Sequence, residues 1–272
     1  MSLVTSSTSI PSETRVYFRM EGNSIYIPVK INGRELEFLF DTGAPGVLVK
    51  KEDFDQAQLH IPENAKKERA RGVGGSIDMK VFDANVSVGG ITKRVPIEVT
   101  EGHTPNNLLG QDFFGDMECE FDHKLNFITF RPPRDRGKDN FAVPFRLQGK
   151  HLVVDVMVRG GKKTAMIVDT GAYGIILTQK NYDELGLHIP IASWRGIHKD
   201  GGVGDMERES WNFIIDELRL GPIVARDPEV TVMDHVDGAM CGKDDIGLLG
   251  MTFFGNWKYT IDNKNQVLRF VH

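Results

Sequence analysis

Phe38-Leu39-Phe40-Asp41-Thr42-Gly43-Ala44 and Met166-Ile167-Val168-Asp169-Thr170-Gly171-Ala172 are two short apolar runs closed by the same tetrapeptide. An apolar run that ends on an acid and a glycine reads as a buried strand turning sharply at its end. Two such ends, one in each half of the chain, predict a single site built from paired carboxylates.

Similarity between the halves extends well beyond the tetrapeptide. Phe18-Arg19-Met20-Glu21-Gly22 corresponds to Phe145-Arg146-Leu147-Gln148-Gly149 at an offset of 127. The same offset aligns Ile25, Ile27, Val29 and Ile31 with Leu152, Val154, Val156 and Val158. Both sets alternate as a strand with one buried face does. Gly33 and Gly160 then mark the turn of a hairpin whose return strand ends at the aspartate. The offset becomes 128 at the motif, where Gly46-Val47-Leu48-Val49 matches Gly174-Ile175-Ile176-Leu177. At an offset of 140, Leu108-Leu109-Gly110 matches Leu248-Leu249-Gly250, and Phe113-Phe114-Gly115 matches Phe253-Phe254-Gly255. Phe121-Asp122 and Ile261-Asp262 close the repeat at that same offset. So many matches in one order identify a tandem duplication.

The repeat divides the chain into a flexible segment over 1–14, an N-terminal lobe over 15–130, a polar Pro/Gly-containing linker over 131–141 and a C-terminal lobe over 142–272. Extra residues around Asp234 and Asp245 predict a longer surface loop in the second lobe. Short helices are expected over 51–58 and 180–185, and again over 111–115 and 251–255. Everything else reads as short strands between Gly, Pro, Asn and Asp, an all-β class.

Composition narrows the function. The chain has 272 residues, 40% hydrophobic and 26% charged, with 29 glycines suited to many tight turns. A net charge of −5 argues against a nucleic-acid partner, which would call for a basic surface. No apolar run is long enough for a transmembrane segment. Residues 1–14 are rich in Ser and Thr, with neither a basic start nor an apolar core, and do not read as a signal peptide. The compartment stays open, a periplasmic or secreted location included if a leader was removed. Cys119 and Cys241 make neither a disulfide framework nor a zinc site, and one bridge or none fits equally.

Peptide hydrolysis by two aspartates needs carboxyl groups close enough to share a proton. The ionised member deprotonates a water and the protonated member polarises the scissile carbonyl. Asp41 and Asp169 are the catalytic candidates. Thr42 and Thr170 can hydrogen-bond across the interface, and Gly43 and Gly171 let the two loops approach.

The hydrophobic-Asp-Thr-Gly-Ala element, followed by Leu-Leu-Gly and a short helix, resembles the retropepsin-like aspartic proteases. Here both motifs sit in one chain, so the resemblance implies a monomer acting as a pseudodimer. It implies an acid-protease fold of two similar β-barrel lobes with few short helices and one active site at their interface. It further implies flaps, glycine-rich hairpins closing over a peptide or protein substrate. Gly72, Val73, Gly74 and Gly75 fit the first, and Gly201, Gly202, Val203 and Gly204 the second. No metal and no organic cofactor is expected.

Other residues carry weaker expectations. His103 and His235, each near an acid (Glu101, Asp234), stand where the resemblance places a pocket wall, against a plain surface-loop reading. Asp234, His235, Asp237, Asp244 and Asp245 read as a solvated acidic loop rather than a metal site. His60 and His188 read as structural marks of the repeat, and Trp194 and Trp211 as hairpin or core packing. The functional expectation is an aspartic endopeptidase, and the alternative is a peptide-binding module that keeps the fold without the chemistry.

Overall fold

The computed structural model describes residues 12–72, 75–134, 141–187, 194–200, 203, 208–233 and 246–271. Strands dominate, arranged as two similar lobes and a sheet shared between them. Most of the expected N-terminal segment and linker, and the expected loop between Asp234 and Asp245, lie outside the described residues.

Alternation sets each lobe's core. Ile25, Ile27, Val29 and Ile31 are fully buried along the strand Ser24–Ile31, as are Leu152, Val154 and Val156 along His151–Val158. Asn32 and Gly33, with φ of 47° and 86°, turn the first strand back into Arg34–Phe40. Two consecutive left-handed residues give a hairpin turn whose twist matches the strands it joins. In the N-terminal lobe Leu108–Leu109 lies between Arg34–Phe40, to which it is parallel, and Val47–Val49, to which it is antiparallel. Gly247–Leu249 takes the same place between Lys163–Val168 and Ile175–Leu177. An extra pairing of Ser24–Ile31 with Gly75–Val88 curls the N-terminal sheet back on itself.

The helices fall close to expectation, at Lys51–Gln56, Gln111–Phe114, Gln179–Leu185 and Met251–Phe254. One strand does not. Gly75–Val88 runs for 14 residues because its N-terminal end pairs with Lys66–Gly72 while the rest pairs with Ile91–Thr100. One strand thus serves both the hairpin and the barrel wall.

A six-stranded sheet joins the lobes through Glu118–Asp122 and Lys258–Asp262, which pair antiparallel. Cys119 faces Ile261 and Phe121 faces Tyr259. At the 140-residue offset Cys119 corresponds to Tyr259 and Phe121 to Ile261, so the duplication exchanges the two pairs. Glu120 and Thr260, which face each other and also differ by that offset, lie on the axis. Self-complementary pairing of this kind is what a twofold dimer shows between subunits. Arg131 bonds Glu118 at 3.1 Å and Glu120 at 3.0 Å, and Lys258 reaches Glu120 at 3.1 Å and Asp122 at 3.0 Å. Cys119 is a buried free thiol, and Cys241 lies outside the described residues.

This sheet carries an acid-sensitive group. His123 packs among the rings of Phe18, Phe121 and Tyr259, and neither ring nitrogen has a hydrogen-bond partner among the described residues. Burial pushes its imidazole down to about 4. The unfolded chain therefore binds the extra proton first, and stability is lost as pH falls from about 6.5 toward 4, by at most about 3 kcal/mol. Burial opposes the charge of Glu120 and Asp122, yet Lys258 holds both carboxyls below their ordinary range. Their contribution is also lost on acidification. His123→Phe, which keeps the aromatic packing, should flatten the fall in melting temperature between pH 6.5 and 4. An unchanged slope would clear His123 of that role.

Candidate active site

Asp41 and Asp169 stand at equivalent strand ends. The Asp41 amide donates to the Leu109 carbonyl and the Asp169 amide to the Leu249 carbonyl, each at 3.1 Å. Beyond the leucines, Gly110 crosses so close to the returning loop that a β-carbon would overlap the carbonyl oxygens of Ala44 and Gly46. Gly250 stands in the same relation to Ala172 and Gly174. The Leu-Leu-Gly strand is thus locked beneath the aspartate loop in both lobes.

Oδ1 of Asp41 accepts from the amides of Gly43 at 2.8 Å and Ala44 at 2.9 Å. Oδ1 of Asp169 accepts from Gly171 at 2.8 Å and Ala172 at 3.1 Å. Each carboxylate also lies over the other loop's glycine. A β-carbon on Gly43 would fall 2.5 Å from Cγ of Asp169, and one on Gly171 would fall 2.5 Å from Cγ of Asp41. The two carboxyl groups are close enough for each to shift the other's ionisation.

Beneath them the threonines interlock. The Thr42 amide donates to Thr170 Oγ1 at 3.1 Å and the Thr170 amide to Thr42 Oγ1 at 3.0 Å. Thr42 Oγ1 donates to the Val168 carbonyl at 2.8 Å, and Thr170 Oγ1 to the Phe40 carbonyl at 2.7 Å. Each hydroxyl both accepts and donates across the interface, and both threonines are buried. Thr42→Val would orphan the Thr170 amide and the Val168 carbonyl, costing about 1–3 kcal/mol, whereas Thr42→Ser keeps both bonds. Urea unfolding of the two variants should separate them by that amount, and equal midpoints would contradict it.

Electrostatics follow from this burial. Each aspartate is only 8% exposed. Burial pushes the Asp41 carboxyl well above its ordinary range, and the charge of Asp169 pushes it further. Burial also raises Asp169, against its interaction with Asp41 and the hydrogen bonds it accepts from the Gly171 and Ala172 amides. The two environments are near copies, so the retained proton belongs to the pair.

Above the pair opens a cleft of about 590 Å³. Leu39, Leu48 and Leu108 line it from one lobe, and Ile167, Ile176 and Leu248 from the other. Its roof comes from the two hairpins. Lys66–Gly72 pairs with Gly75–Val88, bringing Gly72 opposite Gly75, while Val73 and Gly74 lie outside the described residues. The second hairpin pairs Trp194–Asp200 with Arg208–Ile214. Gly201, Gly202 and Gly204 lie outside the described residues, but Val203 packs on the apolar cluster of Leu39, Leu48 and Leu108 in the opposite lobe. A β-carbon on Gly72 would overlap the Val203 carbonyl, so the hairpins touch each other over the cleft.

The weaker expectations fare unevenly. His103 is exposed and the adjacent Thr104, Pro105 and Asn106 line the cleft in its stead. His235 and the acidic loop around it, with His188, lie outside the described residues, and His60 is exposed. Trp194 is 47% exposed beside its cross-strand partner Phe213, so it is not core, while Trp211 is half-buried. Among the described residues no helix is long and apolar enough to cross a membrane. Two residues at or beneath the cleft escape the repeat-based reading. Gln111 donates from Nε2 to the Thr42 carbonyl at 3.1 Å, where the second lobe has Met251. Glu98 lines the cleft on one side only. Their signal in the sequence is a mismatch between repeats rather than a match.

A family model described as aspartyl protease matches the chain twice, over residues 27–113 and 154–253. Each match contains one Asp-Thr-Gly-Ala, one glycine-rich hairpin and one Leu-Leu-Gly.

Proposed function

The chain belongs to the aspartyl protease family, and from that premise we propose that it is an endopeptidase with one active site, formed by Asp41 and Asp169 together. The observation that carries this reading is reciprocal: each carboxyl rests on the other loop's glycine and shifts the other's ionisation.

In this mechanism the pair holds one proton. A water bound between the carboxyls gives a proton to the ionised member as its oxygen attacks the scissile carbonyl, while the protonated member donates to the carbonyl oxygen. The tetrahedral diol then collapses. The C–N bond breaks as the protonated carboxyl gives its proton to the leaving amine and the ionised carboxyl takes one from a diol hydroxyl, so the pair is again singly protonated. The backbone amides on each Oδ1 fix both groups without reorganisation during the reaction. The chemistry asks for no metal or organic cofactor.

Substrate lies extended under the hairpins, main chain bonded in β fashion and side chains in alternating pockets. The leucines and isoleucines of the cleft favour apolar residues at the cleaved bond. Both flap hairpins act as lids, and a single chain acts as a pseudodimer. Activity falls as pH rises through the upper titration of the pair, which burial has moved above the ordinary carboxylate range.

Cleavage of casein and of a peptide library between pH 4 and 7 tests the reading. Cut peptides in the parent but not in either Asp→Asn variant are expected. Peptide binding without cleavage by the parent would favour the binding module instead.

A further inference from the structure

The duplication makes the two lobes alike, so a charged residue present in only one cleft wall stands out. Glu98 lies on the strand Ile91–Thr100, beside Leu48 in parallel register and opposite Val81. Its carboxylate covers Gly46, close enough that a β-carbon there would overlap Oε1. It lines the cleft, is half-buried, and has neither a hydrogen bond nor an ion pair among the described residues.

The second lobe is different at the same place. Ile176, the counterpart of Leu48, stands beside Thr231, whose hydroxyl is engaged with Asn212 at 3.0 Å. Gly174, the counterpart of Gly46, faces open space, since a β-carbon there would meet nothing within 4 Å, and Met233 and Ile246 complete an apolar wall. At these equivalent places one wall therefore carries a carboxylate and the other is apolar.

Among the described residues no Lys or Arg forms an ion pair with Glu98. Burial and then the charge of Asp112 push its carboxyl up, with Glu68 adding to this and Lys150 opposing. Lys150 is itself bound to Asp112. Arg71 in the roof is engaged in another interaction. An anionic group that has lost much of its hydration without gaining a partner is poorly stabilised, and a cationic ligand group would restore the balance.

We propose that Glu98 sets the direction and specificity of cleavage by binding a lysine or arginine side chain of the substrate, at a position flanking the scissile bond on the N-terminal-lobe side. An apolar side chain occupies the opposite wall beside Ile176, Met233 and Ile246. The proposal rests on the endopeptidase reading for its substrate class. It distinguishes this chain from a symmetric dimer, whose two walls would be identical and could not tell one peptide direction from the other.

The test uses a decapeptide library, from which a cleaved or bound sequence is remade as a pair with lysine or norleucine at the selected position. Cleavage by the parent and binding to the Asp41→Asn chain are both measured. A preference for lysine of tenfold or more is expected in both, and Glu98→Gln should bring the lysine-to-norleucine ratio to about one. Equal rates for the two peptides, or a lysine preference surviving in Glu98→Gln, would overturn the assignment while leaving the endopeptidase intact. A lysine preference in binding with no cleavage by the parent would support Glu98 and defeat the endopeptidase reading.

Discussion

Asp41→Asn and Asp169→Asn are each expected to lower peptide cleavage by about 10³-fold or more, with the melting temperature at neutral pH level or higher. An amide at either position can neither accept the water's proton nor share one with its neighbour, so general acid–base catalysis is lost. Stability moves the other way for a reason visible in the site. Burial raises both carboxyls in the folded chain, so the native state binds protons more tightly than the unfolded one. The stability this contributes is complete below the ordinary aspartate pKa and is lost as pH rises through the raised folded value. Asparagine removes the second buried charge and with it that loss. The opposite sign applies to His123, whose contribution disappears on acidification. Kinetics and thermal melts on the same samples separate a chemical defect from a folding defect. Appreciable cleavage by either variant would remove that aspartate from the mechanism.

Gly43→Ala and Gly171→Ala are expected to cost both activity and stability, more than a single methyl group ordinarily does. The added β-carbon would lie 2.5 Å from Cγ of the opposing aspartate, a distance that forces the carboxyl or the loop to move. Neither can yield easily, since Oδ1 of each aspartate is tied to two amides and the loops are tied through the threonines. Overpacking of this kind costs about 1–3 kcal/mol, and a displaced carboxyl costs about 100-fold in rate. Gly174→Ala is the control, because its β-carbon meets nothing within 4 Å. Urea midpoints and kcat/KM should fall for Gly43→Ala and Gly171→Ala and hold for Gly174→Ala. Parent-like activity in Gly43→Ala would mean that the loops do not meet as described.

The doubled motif and the alternating strands around it were legible in sequence because duplication prints every structural requirement twice. Ile25 to Ile31 and Leu152 to Val158 announce the same buried face, and Gly110 and Gly250 the same tight crossing. The shared six-stranded sheet was not legible. Alternation in Glu118–Asp122 says that one face is buried, but not that the strand's neighbour is Lys258–Asp262 from the other lobe. Glu98 was hidden for a related reason. Between buried Ile97 and Val99 it looks like any outward-facing acid, and only the folded chain reveals that outward here means into the cleft. Val203 likewise sits in a glycine-rich stretch, yet it packs on an apolar cluster of the opposite lobe, a contact no local pattern encodes.

The claim at the centre of this account is that one chain completes its own pair of aspartates. Mixing the Asp41→Asn and Asp169→Asn variants at micromolar concentration, and assaying peptide cleavage beside the parent, tests it most directly. A self-contained site predicts no more activity in the mixture than in either variant alone. Recovery of activity toward that of the parent would show that intact aspartates from two chains can meet, and the site would then belong to a dimer.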